Sequence, residues 1–279
     1  MSRAAMVGAA LTALATASAP ACAQYAGPGH GDNDEPRRLL GVLSALEIEA
    51  GYEGSSSSFH EGEPILGALT IEGRDFGDTH DGARRIALRG VRSSGDLVEV
   101  SIAVSMTQAD SRGAIIVGST GFDPLTLAPY EITGAFGDYE KLGIELGGRR
   151  YFVNPAAIQP VVSVRPFVGG SIGVARIEAI DAVFQSDGFS GLGLNLPDTI
   201  AAGFYDDSWV PTVSVSAGGQ VSVSGRFAVE AEVGARWDGA ADENDETLRL
   251  LGLERINDTA GRFSYPVMVR GRYQFQPGD

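Results

Sequence analysis

Residues 227–239 read FAVEAEVGARWDG: from Phe227 every second position is apolar or small, and Glu230, Glu232, Arg236 and Asp238 stand at positions between. Alternation with a period of two is the mark of a β-strand with unlike faces. Which face looks inward decides the fold. In a water-soluble barrel or sandwich the apolar face is buried and the charges meet solvent, whereas in a membrane-spanning barrel the apolar face meets lipid and the charges line the interior.

The same alternation recurs seven more times. LEIEAGYEG from Leu46 sets Leu46, Ile48, Ala50 and Tyr52 against Glu47, Glu49 and Glu53. RIALRGV sets Ile86 and Leu88 against Arg85 and Arg89, and VEVSIAVSM sets Val98 to Met106 against Glu99, Ser101 and Ser105. KLGIELGGRRYF sets Leu142, Ile144, Leu146 and Phe152 against Lys141, Glu145, Arg149 and Tyr151, and RPFVGGSIGVA sets Val168, Ile172 and Val174 against Arg165 and Ser171. WVPTVSVSAGGQVSV opposes Trp209, Val213, Val215, Val221 and Val223 to Thr212, Ser214 and Gln220. FSYPVMVRGRYQF opposes Phe263, Tyr265, Val267, Val269, Tyr273 and Phe275 to Arg270 and Arg272. Pro166, Pro211 and Pro266 all fall near strand starts, where a missing backbone donor is tolerated.

The spacing of these eight segments says more than their number. RSSGD, the stretch around NPAAIQP and SGR are short links, while the connections near 55–83, 108–138, 178–208 and 239–261 are long. Short and long alternate strictly. Strands that cross a membrane up and down place successive connections on opposite sides, and outer-membrane barrels have short periplasmic turns and long external loops. Strand length agrees, because Phe227 to Trp237 spans ten steps of ~3.3 Å, which at a tilt near 40° rises about 25 Å, the height of such a barrel's apolar band. Phe152, Trp209, Phe227, Trp237, Phe263, Tyr265, Tyr273 and Phe275 sit at the ends of outward faces and are expected to form the interfacial girdles. The fold expected is an all-β, eight-stranded, antiparallel up-and-down transmembrane barrel. GALTIEG in the first long connection, or AIIVGS and LTLAPYEIT in the second, would supply a hairpin for a ten-stranded version or an extension above the membrane.

The amino terminus supports export. Residues 1–23 carry one basic residue, Arg3, a small-residue apolar stretch, and Ala21-Cys22-Ala23 as a cleavage site, and read as a signal peptide cut before Gln24. The only cysteine, Cys22, leaves with it, so the mature chain can form no disulfide. Residues 24–43 read as a flexible periplasmic lead-in, and 44–279 as the barrel domain.

With RPFVGGSIGVARI, AVEAEVGARW and the closing VMVRGRYQF, the chain resembles the small outer-membrane β-barrel superfamily of the OmpA transmembrane-domain or OmpX kind over about residues 44–275. The resemblance implies a cell outer-membrane location in a Gram-negative bacterium, lipid and lipopolysaccharide as surroundings, and the barrel-assembly machinery as a partner in biogenesis. It also implies a terminal aromatic residue for that machinery, whereas here Phe275 is followed by Gln276-Pro277-Gly278-Asp279. A monomer is expected.

If lipid meets the apolar faces, the barrel interior holds a charge network of Glu47, Glu49, Arg85, Arg89, Glu99, Lys141, Glu145, Arg149, Arg165, Glu230, Glu232, Arg236, Arg270 and Arg272, joined by Glu53. Arg270 and Arg272, on the last strand, can reach Glu47 and Glu49 on one side and Glu230 and Glu232 on the other. An eight-stranded barrel is only wide enough for its own side chains, so this interior reads as a plug and argues against a diffusion pore. The long connections hold 22 acidic and 4 basic residues, more than the whole net charge of −15. That acidity argues against nucleic acid, and leaves a loop-bound divalent cation as the only cofactor to consider.

No phosphate loop, zinc spacing or calcium-loop motif is present, and DGAADENDE from Asp238 reads as solvated acid. His30 falls in the lead-in, and His60 and His80 lie near Ser55 to Ser58 in the first long connection. The expected role is structural or surface-interacting and not enzymatic. A narrow porin-like channel, a lipid A-modifying enzyme using those histidines, and a soluble periplasmic β-barrel binding protein with its faces reversed stand as alternatives.

Overall fold

A computed structural model of the chain describes residues 43–65, 69–122, 125, 129–153, 164–187, 197–250, 253, 255–257 and 261–275. The signal peptide, all but Gly-41-side residue 43 of the lead-in, His30, most of the NPAAIQP link, parts of GALTIEG and LTLAPYEIT, and the tail after Phe275 lie outside the described residues.

In chain order the first half comprises β1 (Ala45–Ser55), β2 (Ser58–His60), β3 (Glu63–Ile65), β4 (Leu69–Ile71), β5 (Arg74–Asp75), α1 (Phe76–Thr79), β6 (Ala83–Ser93), β7 (Val98–Ala109), β8 (Ile115–Thr120) and β9 (Tyr130–Phe136). The second half comprises β10 (Tyr139–Tyr151), β11 (Val164–Ile177), β12 (Ile180–Gln185), β13 (Thr199–Tyr205), β14 (Ser208–Ser222), β15 (Phe227–Asp238), α2 (Glu246–Leu250) and β16 (Arg262–Gln274).

The eight long strands β1, β6, β7, β10, β11, β14, β15 and β16 close into an antiparallel barrel in which β1 pairs with both β6 and β16. These are the eight segments picked out by alternation. Closure removes every free edge, so all backbone donors and acceptors of the wall are satisfied inside the ladder, as a bilayer demands. The β6–β7 turn passes through Gly95 at φ 85°, a conformation that glycine adopts without a Cβ penalty. Gly51 faces the interior, and a Cβ there would sit 2.5 Å from the sulfur of Met268, so its missing side chain makes the space that Met268 fills.

The opening question has a plain answer. In β15, Val229 and Val233 are 45% and 57% exposed while Glu230 is fully buried. Ile48, Ile86, Ile172, Val215 and Val267 repeat the pattern on other strands. The exterior is therefore the apolar surface, and the reversed, soluble assignment is wrong.

The long connections are not simply loops. Strands β3, β4, β8, β9, β12 and β13 form a second, six-stranded sheet in the order β13-β12-β9-β8-β4-β3, separate from the barrel. AIIVGS and the described part of LTLAPYEIT become β8 and β9 of this sheet, so the barrel keeps eight strands. The sheet and the helices share a core drawn from all four connections: Phe59, Ile71 and Phe76, then Val117, Ile132 and Phe136, then Phe184 and Phe204, then Leu248 and Ile256. Phe204 stacks on Phe59 with centroids 5.7 Å apart and meets Phe136 edge-on at 5.2 Å. This cap stands at the long-connection end of the barrel.

Candidate functional site

The barrel interior is the most densely functionalised part of the molecule. Strand alternation sends Glu47, Glu49 and Glu53 inward from β1, Arg85 and Arg89 from β6, Glu99 from β7, and Lys141, Glu145 and Arg149 from β10. From the other side come Glu230, Glu232, Arg236 and Asp238 on β15 and Arg270 and Arg272 on β16. Isolated charges in such a place would cost several kcal/mol each, so their survival depends on pairing.

The pairs form three layers. Nearest the short turns, Arg149 donates to Glu47 at 2.6 Å and to Glu230 at 2.7 Å, and Arg272 donates to Glu99 at 2.6 Å and to Glu47 at 3.1 Å. Tyr151 adds its hydroxyl to Glu99 at 3.1 Å, and Gln220 its amide to Glu230 at 3.1 Å. In the middle, Glu145 accepts from Arg85 and from Arg236, both at 2.7 Å, and Ser171 donates to it at 3.0 Å. Beside it Glu49 accepts from Arg270 at 2.5 Å, Arg85 at 3.0 Å and Arg89 at 3.2 Å, while Arg270 also holds Glu232 at 2.6 Å. Nearest the cap, Lys141 meets Asp238 at 2.6 Å, and Arg262 lies 3.5 Å from Glu53.

Many of these bonds cross the lumen. Strands β10 and β15 are separated by β11 and β14, yet Arg149 joins Glu230, Arg236 joins Glu145, and Lys141 joins Asp238. Likewise Arg272 of β16 reaches Glu99 of β7. The expected neighbour contacts of Arg270 and Arg272 are present, but the wall-to-wall bonds do the closing. A void of about 30 Å³ remains among Glu49, Arg85, Arg89, Glu145, Arg149 and Arg236, space for a water or two.

Two placements correct the sequence reading. Arg165 belongs to the interior but pairs with no carboxylate among the described residues. Its guanidinium donates to the carbonyls of Asp96 and of Val153, the latter at 3.0 Å, and lies 3.6 Å over the Tyr151 ring, so it closes the short-turn mouth. The reason is its position at the strand's first turn, level with turn carbonyls rather than with the acids deeper in. Asp238, read as the start of a solvated acidic run, is fully buried and belongs to the Lys141 pair. The alternation of β15 pointed to this, since Asp238 continues the inward series of Glu230, Glu232 and Arg236. Arg262 was also missed, and the same inward series on β16 carried its signal.

Arg262 ties lumen to cap. Its guanidinium sits 4.4 Å over Phe76 and 4.3 Å over Tyr139 while it faces Glu53. His80 is equally embedded: its Nε2–H donates to the Gly137 carbonyl at 2.9 Å, Thr79 Oγ1 is 2.8 Å from Nδ1, and the ring stacks on Phe76. His60 Nδ1–H donates to the Glu61 carbonyl at 3.2 Å inside the same aromatic core. Burial pushes the His60 imidazole down to about 4 and His80 downward as well. Neither ring bonds a serine hydroxyl among the described residues, so the Ser/His arrangement weighed for acyl transfer does not assemble there. Nor do three or more His, Cys, Asp or Glu side chains converge on a metal position among the described residues.

The interfacial aromatics take their expected side. Phe152, Trp209, Phe227, Phe263 and Tyr265 are each more than half exposed on the outer wall, Trp237 is partly exposed beside Phe263, and Phe227, Tyr273 and Phe275 form a ring-to-ring chain at the short-turn rim.

The closed eight-strand order, apolar exterior and alternating connections are those of the small outer-membrane β-barrels. No family model matches the chain, and no curated protein does. Among solved structures, Neisserial surface protein A is similar at 12% identity over 83% of this chain and 96% of that one, with a TM-score of 0.41. Ail, the attachment invasion locus protein of Yersinia pestis, is similar at 13% identity over 84% and 99%, with a TM-score of 0.35. OprG from Pseudomonas aeruginosa is similar at 13% identity over 85% and 98%, with a TM-score of 0.36. Likeness at this level carries no residue roles across.

Proposed function

We propose that the protein is an outer-membrane barrel of a Gram-negative cell whose role is structural or surface-interacting, exerted by the external cap and not by transport through the lumen. In this reading residues 1–23 are a cleaved signal peptide, 24–43 a periplasmic lead-in and 44–279 the barrel domain, monomeric and surrounded by phospholipid and lipopolysaccharide. The barrel-assembly machinery inserts it. The observation that carries the reading is the wall-to-wall ion pairing, above all Arg236–Glu145 and Arg149–Glu230, which fills the lumen with bonded side chains. A folded cap with its own aromatic core over the other end gives the molecule a defined outer surface to present.

Reconstitution in a planar bilayer tests this directly. The purified protein should give no single-channel steps, while intact cells should expose the cap to added protease. Discrete steps from the unaltered protein would replace this reading with that of a narrow channel. Lipid A acylation that depends on His60 or His80 would replace it with an enzyme, and a requirement for calcium or magnesium in cap protease resistance would add a cation to it.

A further inference from the structure

The outer wall carries four arginines that point away from the lumen on barrel strands, and their surroundings differ by rim. At the cap rim, Arg84 pairs with Asp110 at 3.2 Å and Arg176 with Asp207 at 2.7 Å. At the short-turn rim, Arg92 on β6 and Arg150 on β10 are exposed, and no carboxylate among the described residues lies within ion-pair range of either. A guanidinium on a lipid-facing wall is costly unless it reaches an interface and an anion.

Their register brings the two together. Arg92 is level with Val100 of β7, and Val100 with Gly148 of β10, two residues before Arg150. Two strand spacings of ~4.8 Å and a two-residue offset put their Cα atoms about 12 Å apart, close enough for two arginine side chains to meet on one anion. Gly148 has no side chain to stand between them. Phe152, 60% exposed on the same outer face just beyond Arg150, marks the headgroup depth. The apolar wall that such a lipid's chains would cover is Val98 and Val100.

We infer that Arg92 and Arg150 form a binding site for the phosphate of an anionic glycerophospholipid in the leaflet at the short-turn rim. Charge complementarity selects the occupant: the phosphodiester oxygens accept from both guanidiniums while the acyl chains run over the adjoining valines toward the membrane centre. The opposite rim, acidic and with its outward arginines already paired, offers no equivalent. This site does not depend on the role proposed for the cap.

The test uses the full chain folded in phosphatidylcholine vesicles containing phosphatidylglycerol, extracted in mild detergent and weighed by native mass spectrometry. The unaltered protein should retain phosphatidylglycerol in preference to phosphatidylcholine, and excess inorganic phosphate should not displace it. Arg92→Gln and Arg150→Gln should each lower retention about five-fold, and the double variant more, while Arg84→Gln at the other rim leaves it unchanged. Unheated gel mobility equal to that of the parent certifies the fold of each variant, and a single variant that fails this check is replaced by Arg92→Lys or Arg150→Lys, which should keep part of the retention. Equal retention of both lipids by the parent, displacement by free phosphate, or undiminished retention in the folded double variant would overturn the inference.

Discussion

Glu145 shows how much one residue can hold in this lumen. It accepts from Arg85 of β6 and from Arg236 of β15, so a single carboxylate joins two walls through β10. Glu145→Gln keeps the shape and leaves two buried guanidiniums short of a counter-charge, which should cost about 3–5 kcal/mol. Urea unfolding in lipid vesicles measures this. Glu232→Gln, at a partly exposed position facing Arg270, should cost clearly less, and equal losses would mean that depth in the lumen does not govern the pairing. Alternation made the inward set readable, because side chains two apart share a face whatever the tertiary fold. It could not supply the cross-lumen partners, which depend on the diameter of the closed barrel. Arg165 illustrates the limit: its face was legible, its carbonyl partners were not.

Among the elements, the barrel strands were legible and the cap was not. Each wall strand carries a long alternation bounded by a turn, whereas β3, β4 and β8 are short and acquire an inner face only by packing together. Strand β12 did carry a signal, since Ile180, Ala182 and Phe184 are buried and Asp181, Val183 and Gln185 alternate with them. Phe204 lies at the centre of the cap core, so Phe204→Ala should loosen the cap by about 3–5 kcal/mol. Protease should then cut within the long connections while the barrel keeps its unheated gel mobility. A barrel that fails together with the cap would show the two to be one cooperative unit. Acid should act on the same element. His60 titrates at about 4 when folded, against 6.5 for the free side chain, so the unfolded cap takes up the proton first. Cap stability is therefore full above about pH 6.5 and falls between there and pH 4, by a total on the order of 3 kcal/mol. Hydrogen exchange of β8, β9 and β12 at pH 7.5 and pH 5 should show this loss, and His60→Phe should flatten it. A loss of equal size in that variant would assign the acid response elsewhere.

For the whole molecule, the two surfaces of the barrel set separate expectations. An apolar exterior and a hydrogen-bonded closed wall should survive detergent without heat, so the unheated protein should run faster on a gel than the boiled one; equal mobility would contradict a closed membrane barrel. The interior should decide conductance. Removing Glu145 alone unbalances the lumen, but Glu145→Ala with Arg236→Ala removes one charge of each sign and leaves Arg85 with Glu49 at 3.0 Å and Glu53 at 3.6 Å. The double variant should therefore be more stable than its single-site charge changes predict when summed, since the second change removes the guanidinium that the first left unpaired. It also takes away the largest wall-to-wall bond of the middle layer, beside a void of about 30 Å³. Single-channel steps absent from the parent should then appear in the double variant. If it stays silent while folded, the seal lies at the ends, with Arg165 across the short-turn mouth or with the cap and Arg262 across the other. Combining the double variant with Arg165→Ala separates these: steps would place the seal at the short-turn mouth, and continued silence would place it under the cap.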